Sequence, residues 1–309
     1  ALHGSWFRSD LGPLRAVCTP LHCRLFLMAT HADNADHLIQ EALDDWRRWS
    51  CADAITERPV LGTVIGEGSA NRIYSLRNQD RYVLRIRHAT HDLSMNKPHQ
   101  EIAIWQHAAQ RGLAPKVVYY DETGSVVVTE RLTFGEVTTG AHTSLLNDIH
   151  KLCYRMPTLS LNTVAVRYWS VIQQQGIAHL AIDPRADNIK GELDRLDSDV
   201  TCVCHNDLST VNIGQLNGVN MAIDWEYAAL GNPHFDAAIA SEGLEWHRRI
   251  SFAENVLGQS FNSRTWLAAC RAELLINHLW TLATHGTLST SLATALTKEQ
   301  VEQAWSDDK

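Results

Sequence analysis

Three oxygen-bearing side chains, those of Asp207, Asn212 and Asp224, constrain this chain more than any other feature. Asn212 follows Asp207 by five residues, and Asp224 comes directly after the apolar run 221–223. Phosphoryl transfer from ATP needs a carboxylate to orient and deprotonate the attacking hydroxyl, and oxygen ligands to hold Mg²⁺ against the phosphates. The spacing predicts Asp207 and Asn212 at opposite ends of one catalytic loop and Asp224 at the tip of a neighbouring hairpin. In this interpretation Asp207 is the base, and Asn212 and Asp224 bind the metal.

The motifs around these residues resemble a known family. His205-x-Asp207-x-x-x-x-Asn212, followed by the segment 223–228, resembles the choline/ethanolamine kinase and thiamine kinase branch of the aminoglycoside phosphotransferase family. The later segment 232–238 also fits that branch. The resemblance implies an α+β, two-lobed protein-kinase-like fold, with a small antiparallel β-sheet lobe and a mostly helical large lobe. It also implies ATP and Mg²⁺ as cofactors.

Composition excludes some classes of partner and compartment. The net charge is −8, with 27 basic and 35 acidic residues, and this argues against nucleic acid, whose partners usually carry a basic surface. Seven cysteines without the dense spacing of a disulfide scaffold predict a reduced, cytoplasmic protein. The apolar run 25–28 is too short to span a membrane, so no membrane insertion is expected. The oligomeric state is left open by the sequence.

Two closely spaced thiols, Cys202 and Cys204, suggest a metal site beside His205. No second Cys or His pair follows at the spacing of a zinc site. The two thiols also alternate with Val203 on what should be a buried strand that enters the catalytic loop. We therefore interpret them as small apolar core residues.

The order of periodic segments predicts how the chain is organised. Residues 1–27 lack periodicity and precede a candidate start at Met28, so we expect an unstructured extension or a mis-set start; a targeting peptide is the alternative. Residues 28–130 are assigned to an N-terminal helix and the nucleotide-binding small lobe, and residues 131–309 to the catalytic and acceptor-binding helical lobe. The small lobe should contain a helix over 34–49, strands over 61–65, 73–76 and 81–86, a helix over 98–110, and strands over 117–120 and 126–129. The large lobe should contain helices over about 143–156, 163–175, 184–193, 233–245 and 263–285.

A glycine-containing turn after the first strand is the candidate phosphate loop. Gly66 and Gly68 would let the backbone approach phosphates closely. Asn71 stands where a protein kinase has a third glycine, and the sequence from Gly68 to Tyr74 is similar to the small-molecule kinase version, in which Ser69 and Asn71 cap the hairpin. A simple β-turn is the alternative.

Three further residues are candidates for ATP binding. Arg85 lies where kinases place a phosphate-gripping lysine, and its guanidinium is a rigid bidentate fork for phosphate oxygens. Glu101, early in the next helix, is its expected partner. The resemblance implies that Glu130 lies at the hinge between the lobes, where backbone N–H and C=O groups meet adenine.

The acceptor is predicted to be a small molecule. The connection between Asp224 and Asp236 is too short to form a docking platform for a polypeptide. The sequence Trp225-Glu226-Tyr227 is less typical of aminoglycoside kinases. Glu226 is a candidate third Mg²⁺ ligand, with a structural role as the alternative. The resemblance implies that aromatic side chains cage a cationic acceptor, and the candidates are Trp225 and Trp280; packing in the core is the alternative for Trp280.

The expected function is ATP- and Mg²⁺-dependent phosphorylation of a small cationic alcohol: choline, ethanolamine or thiamine. One alternative is a kinase of the same fold acting on an aminoglycoside, a homoserine-like metabolite or a sugar. Another is a nucleotide-binding pseudokinase, although the presence of Asp207, Asn212 and Asp224 together argues against it.

Overall fold

The computed structural model describes residues 35–51, 53–68, 71–87, 93, 96–286 and 297–306. The predictions for residues 1–27, the candidate start at Met28 and the hairpin residue Ser69 lie outside the described residues. Within them, no helix combines the length and apolar character needed to cross a bilayer.

The N-terminal part of the chain forms one antiparallel sheet of five strands in the order β1-β2-β3-β5-β4. Its central strands alternate little between polar and apolar residues, because the sheet is covered on both faces. The helical segment over residues 35–44, α1, and a 3-10 turn at Asp45–Arg48 pack on one face through Ile39, Leu43 and Trp49. The strands are Leu61–Glu67 (β1), Asn71–Leu76 (β2), Tyr82–Arg87 (β3), Val117–Tyr120 (β4) and Val126–Glu130 (β5).

The other main element of this lobe is helix α2, Pro98–Gln110. Proline suits the first position of a helix, where its missing N–H is not needed. The helix ends before Gly112, whose φ of 72° is the left-handed conformation common at helix ends. Its buried face carries Glu101 and Trp105, and the Trp105 indole donates to the backbone oxygen of Pro115 at 2.8 Å. This bond joins α2 to the start of β4.

The remaining chain is mostly helical and surrounds the long helix α8, which packs against α4, α5, α6 and α9. Two short antiparallel pairs, β6 with β9 and β7 with β8, interrupt the helices. Together with the five-stranded sheet they confirm the predicted α+β class, with a small antiparallel β-sheet lobe and a mostly helical large lobe. The helices are Thr139–His150 (α3), Leu161–Gln174 (α4), Asp187–Ser198 (α5), Pro233–Ala240 (α6), Trp246–Leu257 (α7), Ser263–His285 (α8) and Lys298–Ser306 (α9), and the strands are Cys202–Cys204 (β6), Ile213–Leu216 (β7), Val219–Ala222 (β8) and Ala229–Gly231 (β9).

In the large lobe, three predicted helices have bounds that differ from the structure by three or more residues. Helix α3 ends at His150 instead of about 156, and α5 spans Asp187–Ser198 instead of 184–193. Helix α3 begins four residues earlier than predicted, because the Thr138 hydroxyl caps it by accepting from the Ala141 N–H at 3.3 Å. The helix predicted over 233–245 ends at Ala240, and a turn containing Gly243, with a φ of 78°, separates it from α7. Helices α7 and α9 were not predicted.

Candidate active site

The catalytic loop runs from the end of β6 to a 3-10 turn at Thr210–Asn212 and is held by one buried carboxylate of α6. Asp236 accepts backbone N–H bonds from His205 at 2.9 Å and from Asn206 at 2.7 Å. Asn206 has a φ of 59°, a left-handed conformation that asparagine tolerates better than most residues. These two bonds hold the backbone that immediately precedes Asp207.

Asp207 and Asn212 lie on one short loop, as their spacing predicted, and they are also directly hydrogen-bonded. The Asn212 side-chain amide donates to the Asp207 backbone oxygen at 2.8 Å and to its carboxylate at 2.9 Å. Burial, followed by the charges of Asp224 and Glu226, raises the pKa of Asp207 well above its usual range. The loop therefore presents an oriented carboxylate in a region of excess negative charge.

Asp224 stands at the end of the β7–β8 hairpin in a left-handed conformation, with φ 64°. Its Oδ1 is buried and has no hydrogen-bond partner among the described residues, and it lies 4.0 Å from the Arg85 guanidinium. Burial is the main cause that raises the Asp224 pKa to about 6. Asn96 braces the following turn by donating its side-chain amide to the backbone oxygens of Trp225 and Ala228.

Arg85 is held as predicted by Glu101, which is fully buried. The Arg85 guanidinium donates to Glu101 Oε1 at 2.5 Å and lies over the Trp105 ring at 5.0 Å. Arg87, which the sequence interpretation missed, donates to Glu101 Oε2 at 2.8 Å and to Glu226 at 3.4 Å. Its position was detectable, because residues two apart on a strand share a face. Glu101 thus joins β3 to α2, and Arg87 extends the network to the turn after Asp224.

Replacing Glu101 with alanine should lower the free energy of unfolding by about 3–5 kcal/mol, the usual effect of removing one partner from a buried ion pair. The change leaves Arg85 and Arg87 charged and buried, with side chains 6% and 8% exposed. Urea denaturation followed by fluorescence measures the effect. Glu41→Ala is the matched control, because Glu41 pairs with His37 on the surface and should change stability by less than about 1 kcal/mol. Equal effects of the two substitutions would contradict the structural role of Glu101.

Two cavities meet at the catalytic loop. The sheet-side cavity, of about 740 Å³, lies beneath β1–β3, and the helix-side cavity, of about 380 Å³, lies between the loop and α4, α6 and α8. Both are lined by Gly68, Val211, Asn212 and Asp224. The two candidate metal ligands therefore lie where the cavities join.

Most of the predicted ATP-binding residues line the sheet-side cavity: Gly66, Gly68, Asn71, Arg85 and Glu130. The Asn71 side-chain oxygen is buried and has no hydrogen-bond partner among the described residues. Glu101 lies behind Arg85, off the cavity wall, and is bonded to that residue.

The helix-side cavity has Asp207 at one end and an aromatic wall formed by Tyr168, Tyr227 and Trp280. The Trp280 indole donates to the Tyr227 hydroxyl at 3.2 Å, so the predicted aromatic residue does line this cavity. Asn277 also lines it and is anchored by donating to Glu273 at 2.8 Å.

The chemistry of the helix-side cavity is acidic. Asp207, Asp224 and Glu242 contribute carboxylates, and none of the described residues that line the cavity is Lys, Arg or His. The sequence interpretation missed Tyr168 and Glu242, since nothing in their local sequence distinguishes them from packing or surface residues. Tyr227 lies within the quoted motif but was not assigned a role.

Besides Glu101, two predicted site residues lie away from the cavity walls. Trp225 is fully buried, donates to the Ala222 oxygen at 3.2 Å and packs on the His205 ring at 4.8 Å. Trp225 therefore supports the catalytic loop through its contact with His205. It does not line the helix-side cavity, which corrects its predicted role in binding the acceptor. Glu226 is also buried, beside Arg87, and its pKa is raised to about 8, chiefly by burial.

Comparison with solved structures confirms the predicted kinase-like fold. The choline kinase LicA from Streptococcus pneumoniae superposes with a TM-score of 0.62 at 14% identity, covering 87% of this chain and 99% of that one. An ethanolamine kinase from Plasmodium vivax gives 0.61 at 13% identity, covering 95% of each chain. A thermostable mutant of the aminoglycoside phosphotransferase APH(4)-Ia gives 0.55 at 16% identity, covering 80% of this chain and 94% of that one.

Comparison at the level of sequence identifies the family. No curated protein matches the chain. Residues 62–270 match the phosphotransferase enzyme family, APH. This range includes the whole catalytic loop and the residues that the two cavities share. The chain belongs to this phosphotransferase family.

Proposed function

We propose that the protein transfers the γ-phosphoryl group of ATP, with Mg²⁺, to the hydroxyl of a small cationic alcohol. The observation that carries the proposal is the position of Asn212 and Asp224 where the two cavities meet. A nucleotide in one cavity and an alcohol in the other would bring phosphate and hydroxyl together at these residues. Asp207, which lines the acceptor cavity, would act as the general base.

The sheet-side cavity supports binding of the nucleotide. Its apolar walls, which include Ile65, Ile73 and Val83, suit a flat adenine ring. The N–H groups of Glu130 and Arg131 already donate to backbone oxygens. The N–H of Leu132 donates to no group among the described residues, so this is the hinge donor that we assign to adenine. Arg85 lies at the phosphate end.

The carboxylates support binding of Mg²⁺. Asp224 Oδ1 is buried without a hydrogen-bond partner, and Mg²⁺ prefers hard oxygen ligands completed by water and phosphate oxygens. Asp224 and Asn212 would hold the ion, which supplies charge to neutralise the phosphates. We assign Glu226 a positioning role through Arg87, in preference to the predicted third ligand, because it lies off both cavity walls.

The helix-side cavity supports a cationic acceptor. Its carboxylates are not neutralised by any basic side chain on the described part of its wall. Its aromatic wall can stabilise a cation by about 0.5–2 kcal/mol, with the upper end reached when the cation is desolvated. A volume of about 380 Å³ is at the small end of ligand pockets, which favours choline, ethanolamine or thiamine over a three-ring aminoglycoside.

Steady-state kinetics on an acceptor panel test this proposal. Choline, ethanolamine, thiamine, kanamycin and homoserine are compared at saturating Mg·ATP, with ADP release as the signal. We expect the highest kcat/KM for one of the first three. A preference for kanamycin or homoserine would overturn the acceptor class but not the phosphotransfer. ATP turnover that none of these acceptors increases would leave ATP hydrolysis as the only activity observed.

Trp280→Ala should raise the KM for the preferred acceptor by about 2- to 30-fold, which corresponds to the loss of one cation–π contact. The KM for ATP should not change, because Trp280 lines only the acceptor side. Trp246→Ala is the matched control, since Trp246 is 48% exposed on α7 and stacks on Trp266. An unchanged acceptor KM in Trp280→Ala would remove Trp280 from the cage.

A further inference from the structure

A group of soft metal-binding side chains lies behind the catalytic loop and lines neither cavity. His150 is the last residue of α3, and Cys202 and Cys204 are the first and last residues of β6. Each offers one donor atom, a ring nitrogen of His150 or a cysteine Sγ, and these atoms all lie within 4.8 Å of one another. His150 lies far upstream of the thiols, so a search for zinc spacing downstream of them could not find it.

The two thiols have the separation that zinc requires. Residues two apart on a strand point to the same face, and Cys202 Sγ lies 3.8 Å from Cys204 Sγ. With Zn–S bonds of about 2.3 Å and tetrahedral angles, two zinc-bound sulfurs are about 3.8 Å apart. The thiols are therefore placed as zinc ligands and are too far apart for a disulfide, whose sulfurs are about 2.0 Å apart.

The imidazole is oriented as metal-binding histidines usually are. His150 Nε2 lies 2.9 Å from Asp236 Oδ2, and the Asp236 side chain is fully buried. A histidine that ligates a metal almost always donates its other ring N–H to a carboxylate or carbonyl oxygen. With Nε2 donating to Asp236, Nδ1 is left as the donor atom for a metal.

We propose that His150, Cys202 and Cys204 bind Zn²⁺, with a water molecule in the fourth position. Three protein ligands of this kind and one open position suit tetrahedral zinc. Both thiols lose a proton to the solvent on binding. Cys202 is half-buried and gives the ion access, while Cys204 is fully buried. The ion would tie α3 to β6, and Asp236 links its histidine to the backbone N–H groups of the catalytic loop.

Co²⁺ titration of the full chain under reducing conditions tests the proposal. We expect one Co²⁺ per chain with a thiolate-to-cobalt charge-transfer band, displaced by Zn²⁺. Binding at Asp224 gives no such band, since its ligands are oxygens, so the result does not depend on the kinase function. Cys202→Ser and His150→Gln should weaken Co²⁺ binding by more than about tenfold. Zn²⁺ should raise the melting temperature of the wild type and not of these variants, because a ligand that binds the folded chain more tightly than the unfolded chain stabilises the fold.

Matched variants at other thiols locate the site. Cys153→Ser removes an exposed thiol three residues beyond His150, and Cys18→Ser/Cys23→Ser removes the two N-terminal thiols; both proteins should keep the band. The proposal is overturned if the wild type shows no thiolate band, if Cys202→Ser retains it, or if the N-terminal double substitution abolishes it.

Discussion

Asp207→Ala is expected to lower kcat by about 10²–10⁴-fold, the usual contribution of a general base. Asp207 lines the acceptor cavity, and its carboxylate is oriented by the amide of Asn212. No other carboxylate is bonded to Asn212 in the described part of the chain. Binding of Mg·ATP, measured by calorimetry, should persist, because Asp207 does not line the nucleotide cavity and Asn212 keeps its bond to the residue 207 backbone oxygen.

The thermal stability of this variant separates catalysis from folding. A buried carboxylate with a raised pKa carries a desolvation penalty, so its removal should leave the melting temperature unchanged or higher. Asp183→Ala is the matched control, because Asp183 pairs with Arg185 on the surface and lines neither cavity; it should retain full kcat. Near-normal turnover in Asp207→Ala would contradict the assignment of Asp207 as the general base.

The predicted elements that the structure confirms carry strong local signals. Helix α2 was predicted with its observed bounds because a proline opens it and a glycine follows its end. Helix α8 was likewise predicted with its observed bounds, and in the structure the Asn262 side chain caps its start and Gly286, with a φ of 69°, follows its end. These signals act within a few residues of the chain, and tertiary contacts do not change them.

The errors arise where a boundary depends on weaker local chemistry. Helix α7 follows α6 after a turn of only a few residues. The prediction extended α6 through this turn to residue 245 and assigned no element to 246–257, although the buried face of α7 is Phe252, Ala253, Val256 and Leu257. For α3 the threonine cap outweighed the apolar pattern that suggested a later start.

The residues of the candidate site also divide into those that local sequence predicts and those that it does not. Asp207, Asn212 and Asp224 were predictable because they lie close together in the sequence, on one loop and the hairpin that follows it. The pairing of Arg87 with Glu226, the aromatic wall and the grouping of His150 with Cys202 all join residues distant in the chain. Trp225 was misassigned because sequence does not reveal to which side of a turn an indole points. In the structure it points into the core, where its N–H is satisfied by Ala222.

Asp224→Ala is expected to lower kcat/KM for Mg·ATP by about 10³-fold, since a bound metal contributes several kcal/mol to charge stabilisation. The substitution removes the carboxylate whose Oδ1 lacks a hydrogen-bond partner among the described residues. It also leaves Arg85 with its Glu101 partner, so the phosphate-side cation stays in place. The loss should therefore come from the metal and not from collapse of the ion-pair network.

Mn²⁺ binding followed by electron paramagnetic resonance tests the metal directly. In the presence of an ATP analogue, the wild type should bind Mn²⁺ with clearly higher affinity than Asp224→Ala does. Glu226→Gln is the informative comparison, because it keeps the shape and the contact of the side chain with Arg87 while removing its charge. If Glu226 only positions the turn, as we propose, Glu226→Gln should keep Mn²⁺ affinity within a few-fold of the wild type; an equal loss in both variants would make Glu226 a metal ligand. Unchanged Mn²⁺ affinity and activity in Asp224→Ala would place the metal site elsewhere.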